Sequence, residues 1–89
     1  MDPQDLIISD MTNALSMRSI AYAMTIDCQA DITYLKIDTG ETIKIYPPDP
    51  MRPPYAYRTR DADIWHRVNH ELLVEFLDSL IIEKDLPHD

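Results

Sequence analysis

The run Ile32-Thr33-Tyr34-Leu35-Lys36-Ile37-Asp38-Thr39-Gly40-Glu41-Thr42-Ile43-Lys44-Ile45-Tyr46 decides the fold. Two stretches that alternate apolar and polar residues, Ile32 to Ile37 and Glu41 to Tyr46, flank Asp38-Thr39-Gly40. That is the signature of an antiparallel hairpin. The register follows from burial. A two-residue loop at Thr39-Gly40 would set Leu35 against Lys44 and mix lysine with the apolar residues. A three-residue loop with Gly40 in the left-handed region sets Leu35 against Ile43 and Tyr34 against Lys44. The second register separates an apolar face (Leu35, Ile37, Ile43, Ile45) from a polar-aromatic one (Tyr34, Lys36, Lys44, Tyr46), and it is the one expected.

Outward from the hairpin, Pro47-Pro48-Asp49-Pro50-Met51-Arg52-Pro53-Pro54 holds five of the seven prolines. Proline lacks a donor and restricts its predecessor, so residues 47–54 read as a stiff connector. Pro47-x-x-Pro50 and Pro50-x-x-Pro53 meet the minimal proline-rich ligand pattern, though a rigid crossover loop explains them better. Tyr55 to Arg60 suits a short edge strand. Before the hairpin, Ser19 to Ile26 alternates strictly, with Ile20, Tyr22, Met24 and Ile26 on one side. Both a strand and a continued helix fit it, and the β-branched and aromatic residues favour the strand.

Both ends read as helices. Asp2-Pro3-Gln4-Asp5 is a helix start, with Asp2 as cap, followed by Ile7, Met11, Ala14 and Leu15 at helical spacing. At the other end Asp61 or Asp63 caps a helix expected to reach Lys84, about 22 residues and about 33 Å long, with Asp85-Leu86-Pro87 ending it. On its wheel Trp65, Val68, Leu72, Phe76 and Leu80 form one apolar stripe, and Leu73, Val74, Leu77 and Ile81 form a second. Together they sweep about 200 degrees, where a one-sided helix needs about 100. The expectation is α+β with α-β-β-β-α order: a small antiparallel meander, two helices on one face and a long C-terminal helix, in a single domain over residues 1–89. The order is similar to that of double-stranded-RNA-binding domains in topology alone. Their basic motif is replaced here by Asp61-Ala62-Asp63, so no family is inferred.

Composition bounds the function. The 89 residues are 45 % apolar and 27 % charged, as in a folded chain, with a net charge of −8. Residues 1–31 carry −4, residues 32–67 carry +1 and residues 68–89 carry −5. An acidic chain is a poor general binder of phosphates, so direct nucleic-acid binding is not expected. No apolar run approaches the about 20 residues of a bilayer span, and no membrane association is expected. The acidic opening and the single Cys28 lead to an expected cytoplasmic location.

No catalytic constellation emerges. Cys28 has no basic neighbour in sequence to activate it, one glycine cannot build a phosphate loop, and no cofactor is implied. The chain is expected to be a non-enzymatic protein–protein interaction module. It would regulate or inhibit by occupying a partner's surface, as small accessory proteins of mobile elements do. Its partner or dimer interface would comprise Leu73, Val74, Leu77, Ile81, His66 and His70, making the chain a homodimer through its last helix. A second possible binding face gathers Tyr34, Lys36, Lys44, Tyr46, Tyr57 and Arg58, residue types common at binding hot spots. The acidic ridge Glu71, Glu75 and Asp78 suggests an alternative, mimicry of nucleic acid in a basic groove, because carboxylates four apart on a helix approximate phosphate spacing. A second alternative is a metal-linked module through His66 and His70. No metal site is assigned, because Arg67 stands where the zinc-protease motif needs glutamate.

Overall fold

The computed structural model of the chain describes residues 3–85, with side chains through Ile81. The elements are α1 (Pro3–Met17), β1 (Tyr22–Asp27), β2 (Ile32–Ile37), β3 (Thr42–Ile45), β4 (Tyr55–Arg58), β5 (His66–Val68) and α2 (His70–Asp85). All strands pair antiparallel in one sheet of order β1-β2-β3-β4-β5. The class is α+β, and the meander has five strands where three were expected. Asp2, Leu86 and Pro87, the expected cap and stop residues, lie outside the described residues.

The hairpin has the register that burial demands: Leu35 faces Ile43 and Tyr34 faces Lys44. Ile37 N donates to Glu41 O at 2.8 Å and Gly40 N to Ile37 O at 2.9 Å, closing a three-residue loop with Gly40 at φ +109°. A Cβ there would lie 2.9 Å from the Arg60 Cβ, so the position requires glycine for space as well as for φ.

Helix α1 ends by local chemistry, which settles the ambiguity over residues 19–26. Ser19 takes φ 56°, Ser19 N donates to Ser16 O at 3.0 Å and Ile20 N to Leu15 O at 3.0 Å. This is a Schellman termination with serine in the place glycine usually holds, and Ile20 packs back onto the core. Arg18 donates to Ala14 O at 3.0 Å and pairs with Asp78 at 2.8 Å, tying the end of α1 to α2. The prolines form a hairpin loop between neighbouring strands, not a crossover. Asp49 turns it by accepting from Met51 N at 2.8 Å, and Tyr46 N donates to Pro54 O at 2.7 Å to close it.

The last helix departs most from expectation. It begins at His70, capped by Asn69, whose side chain accepts from Leu72 N at 2.9 Å. Asp61 and Asp63 lie in the β4–β5 connection. Residues 66–68 extend because Tyr55, Ala56 and Tyr57 pair with Val68, Arg67 and His66. At 16 residues, α2 is about 24 Å long. With Trp65 and Val68 removed from the wheel, the inward face centres on Leu73 and Leu77, with Phe76 and Leu80 packed beside them. Leu73 and Leu77 are fully buried against the sheet, and Leu72 is 51 % exposed. Met11, Ala14 and Leu15 of α1 join them over Leu35, Ile37, Ile43, Ile45 and Tyr55, so both helices cover one face.

Tyr55 lies at the centre of that core, 3 % exposed, with its hydroxyl donating to Ile7 O at 3.5 Å. Burial pushes its phenol up from 10.0 to about 12, and the Asp10 carboxylate adds to the rise. The folded state therefore holds this proton more tightly than the unfolded chain. Stability from it is intact below pH 10.0 and is lost as pH rises toward about 12. Urea titrations across that window should show a falling midpoint in the parent and a flatter one in Tyr55→Phe. At neutral pH, Leu77→Ala should cost about 2–5 kcal/mol, whereas Ser19→Gly should add about 0.5–1 kcal/mol by relieving the left-handed serine.

Candidate binding face

Strand pairing sorts the side chains into two sets. On the helix side lie Tyr22, Met24 and Ile26 of β1, Thr33, Leu35 and Ile37 of β2, Ile43 and Ile45 of β3, Tyr55 and Tyr57 of β4, and His66 and Val68 of β5. On the other side Tyr34 pairs with Lys44, Lys44 with Ala56, Ala56 with Arg67, and Lys36 and Arg58 with Thr42. Continuing the β4–β5 register sets Trp65 opposite Arg58. Every lysine and arginine of the five strands stands on this second side, and β2 to β5 contribute no carboxylate to it. Neither helix packs there.

The cations lie over the rings. Lys44 Nζ is 4.0 Å from the Trp65 ring centre, 5.8 Å from that of Tyr34 and 6.0 Å from that of Tyr46. Arg58 approaches Trp65 at 5.0 Å and Arg67 approaches Tyr46 at 3.8 Å. Ala56 makes this possible. Its methyl group is buried between Lys44 and Arg67 and leaves a gap across β4 through which Lys44 reaches Trp65. Arg67 is anchored further, its Nε donating to Pro53 O at 2.8 Å. The result is an ordered layer of ammonium and guanidinium groups held by quadrupole attraction.

Of the residues expected on this face, Tyr34, Lys36, Lys44, Tyr46 and Arg58 are brought together. Tyr57 is a correction. It pairs with Ile43 on the helix side, stacked on Phe76 at 4.0 Å and on His66 at 5.1 Å. Trp65 and Arg67 belong to the face but were hidden in the sequence by the helical reading of residues 61–69. The alternation Trp65, His66, Arg67, Val68 was the signal that could have placed them.

The expected helical interface is redistributed. Leu73 and Leu77 are interior and cannot meet a partner, while Val74 and Ile81 are half-buried. His66 lies in β5 and His70 opens α2, where its ring meets Tyr55 at 6.0 Å. The intervening chain is strand and cap, so the two imidazoles do not share a helical face, and no cluster of three metal-ligating side chains occurs among the described residues. In the acidic ridge Asp78 is engaged by Arg18, whereas Glu71 and Glu75 remain exposed.

An open cleft of about 660 Å³ lies between the β5 edge and α2, lined by Trp65, Arg67, Val68, Leu72, Glu75 and Phe76 among others. It continues the cationic face around the sheet edge. Among the described residues no helix is long and apolar enough to cross a membrane. No family model, curated protein or solved structure matches the chain.

Trp65 is the chain's one tryptophan, so its cover can be read optically. Lys44→Ala should open one indole face and raise acrylamide quenching. Lys36→Ala, whose side chain lies away from the ring, should leave quenching unchanged.

Proposed function

We propose that this chain is a non-catalytic protein-binding module that holds an acidic segment of a partner protein on the cation–aromatic face of its sheet. The sorting of charge carries this reading. Lys36, Lys44, Arg58 and Arg67 share one uncovered face of a chain whose net charge is −8. Charge spread only for solubility would not gather all four strand cations on one face, where Asp27 at the end of β1 is the single strand carboxylate. Tyr, Trp and Arg are also the residues that most often dominate binding energy when a partner excludes water from them.

Two details favour an acidic peptide over a nucleic-acid strand. The Tyr46 and Trp65 rings already carry Arg67 and Lys44, which a base stacking on those faces would have to displace. The surrounding acidic surface also repels a long phosphate chain, while a short carboxylate-bearing segment needs only the face itself. The adjoining cleft, floored by Leu72 and Phe76, offers a site for one apolar residue of the same segment. A partner held this way has its surface occupied, which is how a module without chemistry regulates or inhibits.

Titrating an Asp/Glu-rich peptide and a single-stranded oligonucleotide against Trp65 emission tests the proposal. Peptide binding that weakens with salt, and about tenfold further in Lys44→Glu/Arg67→Glu, supports it. No peptide binding, or binding indifferent to that double substitution, overturns it. Tighter binding of the oligonucleotide would replace it with a nucleic-acid reading.

A further inference from the structure

The geometry points to a second copy of this chain as the partner of the free edge of β1, the two copies forming one continuous antiparallel sheet. The inference stands apart from the acidic-segment proposal and rests on different residues. Strand β1 is hydrogen-bonded on one side only. Asp38 N donates to Ala21 O at 3.1 Å, which sets the phase of the ladder. Residues 21, 23 and 25 turn their backbone groups toward β2, and Tyr22, Met24 and Ile26 turn theirs to the open edge. The same three side chains lie on the helix side, where Met24 is 51 % and Ile26 is 55 % exposed. A strand edge of this kind is normally blunted by lysine, proline or a bulge. Here Ser19 to Ile26 contains no charge and no proline, in a chain of net charge −8.

Charge and symmetry select the occupant. Tyr22-Ala23-Met24-Thr25-Ile26 alternates large and small symmetrically about Met24, a pattern that is self-complementary across a two-fold antiparallel contact. With Met24 opposite Met24 of the partner subunit, Tyr22 falls opposite the partner subunit's Ile26. All the outward-facing backbone groups then meet in phase, with large side chains on the helix side and small ones on the other. The uncharged run Ser19 to Ile26 lets two acidic molecules approach, and in this register Asp27 at the strand end falls opposite an alanine rather than a like charge. The other sheet edge does not offer this. Strand β5 has three residues centred on Arg67, so pairing it with itself opposes like charges, and joining it to β1 would be head-to-tail and build a ring or an open chain rather than a two-fold pair.

Sedimentation equilibrium of the full chain, with variants checked for folding by circular dichroism, tests the pairing. The parent should give twice the 10.4 kDa chain mass. Met24→Lys should return it to a monomer. Met24→Pro should do the same, because the lost N–H faces the open edge and not β2. Leu72→Lys, at an exposed position of α2, should leave the dimer intact. A parent that remains a monomer at 100 µM (a concentration of order 10⁻⁴ M), or a dimer that survives both Met24 substitutions, overturns the inference. A dimer lost in Leu72→Lys but not in Met24→Lys also overturns it and assigns the contact to the helix. Acidic-peptide binding by the Met24→Lys monomer would separate this outcome from the fate of the face.

Discussion

The three-residue turn at Asp38-Thr39-Gly40 is the constraint on which the remaining structure depends. Gly40 at φ +109° fixes which residues of β2 and β3 oppose each other, and side chains alternate with a period of two. A slip of one residue would exchange the faces of every strand beyond it. Lys44 would then be driven among Met11, Leu15 and Leu73, and Ile43 would be left in water. The cost of burying an unpaired ammonium far exceeds any gain from an alternative turn. The collection of cations on one face is therefore a consequence of the same register that builds the core.

What the sequence revealed followed from how local each signal was. The hairpin was legible because alternation, turn chemistry and burial all led to one register, the one observed. The α+β class and the two helices on one face followed from it. The strand at residues 22–27 was only favoured, because its decision lies in Ser19, a residue with no strong preference for the left-handed conformation it adopts. Glycine there would have announced the helix end. Tyr57 was grouped with Arg58 by proximity in sequence, although neighbours on a strand point to opposite faces.

The misreading of residues 61–69 has a single cause. Trp65, Val68, Leu72 and Phe76 fall at helical spacing by coincidence, because β5 adjoins α2 with only Asn69 between them. A wheel drawn through that junction rotates the helix. It places Leu72 inward, and Leu73 and Leu77, the true core residues, outward. The apparent excess of apolar circumference came largely from that rotation. The fold hides Leu73 and Leu77 completely and leaves Leu72 as the one large hydrophobic residue of α2 prominently exposed among the described residues.

With the helix accounted for, the unsatisfied surface moves to the sheet, and its two sides present different physics. On the helix side the exposed apolar residues of the strands are concentrated at β1, where a packed neighbour would remove Met24 and Ile26 from water. On the opposite side Lys44, Arg58 and Arg67 are held by aromatic rings and Lys36 is exposed beside them, a surface that a solvating neighbour would suit better than an apolar one. A two-fold axis between the two β1 strands, perpendicular to the sheet, would keep like faces together. It would join two cationic layers into one broad surface, with β5 and its cleft at the two far ends. The apolar seam would lie across the middle and each charged surface would stay free. The proposed self-association and the proposed partner binding would therefore draw on different parts of the same sheet and need not compete.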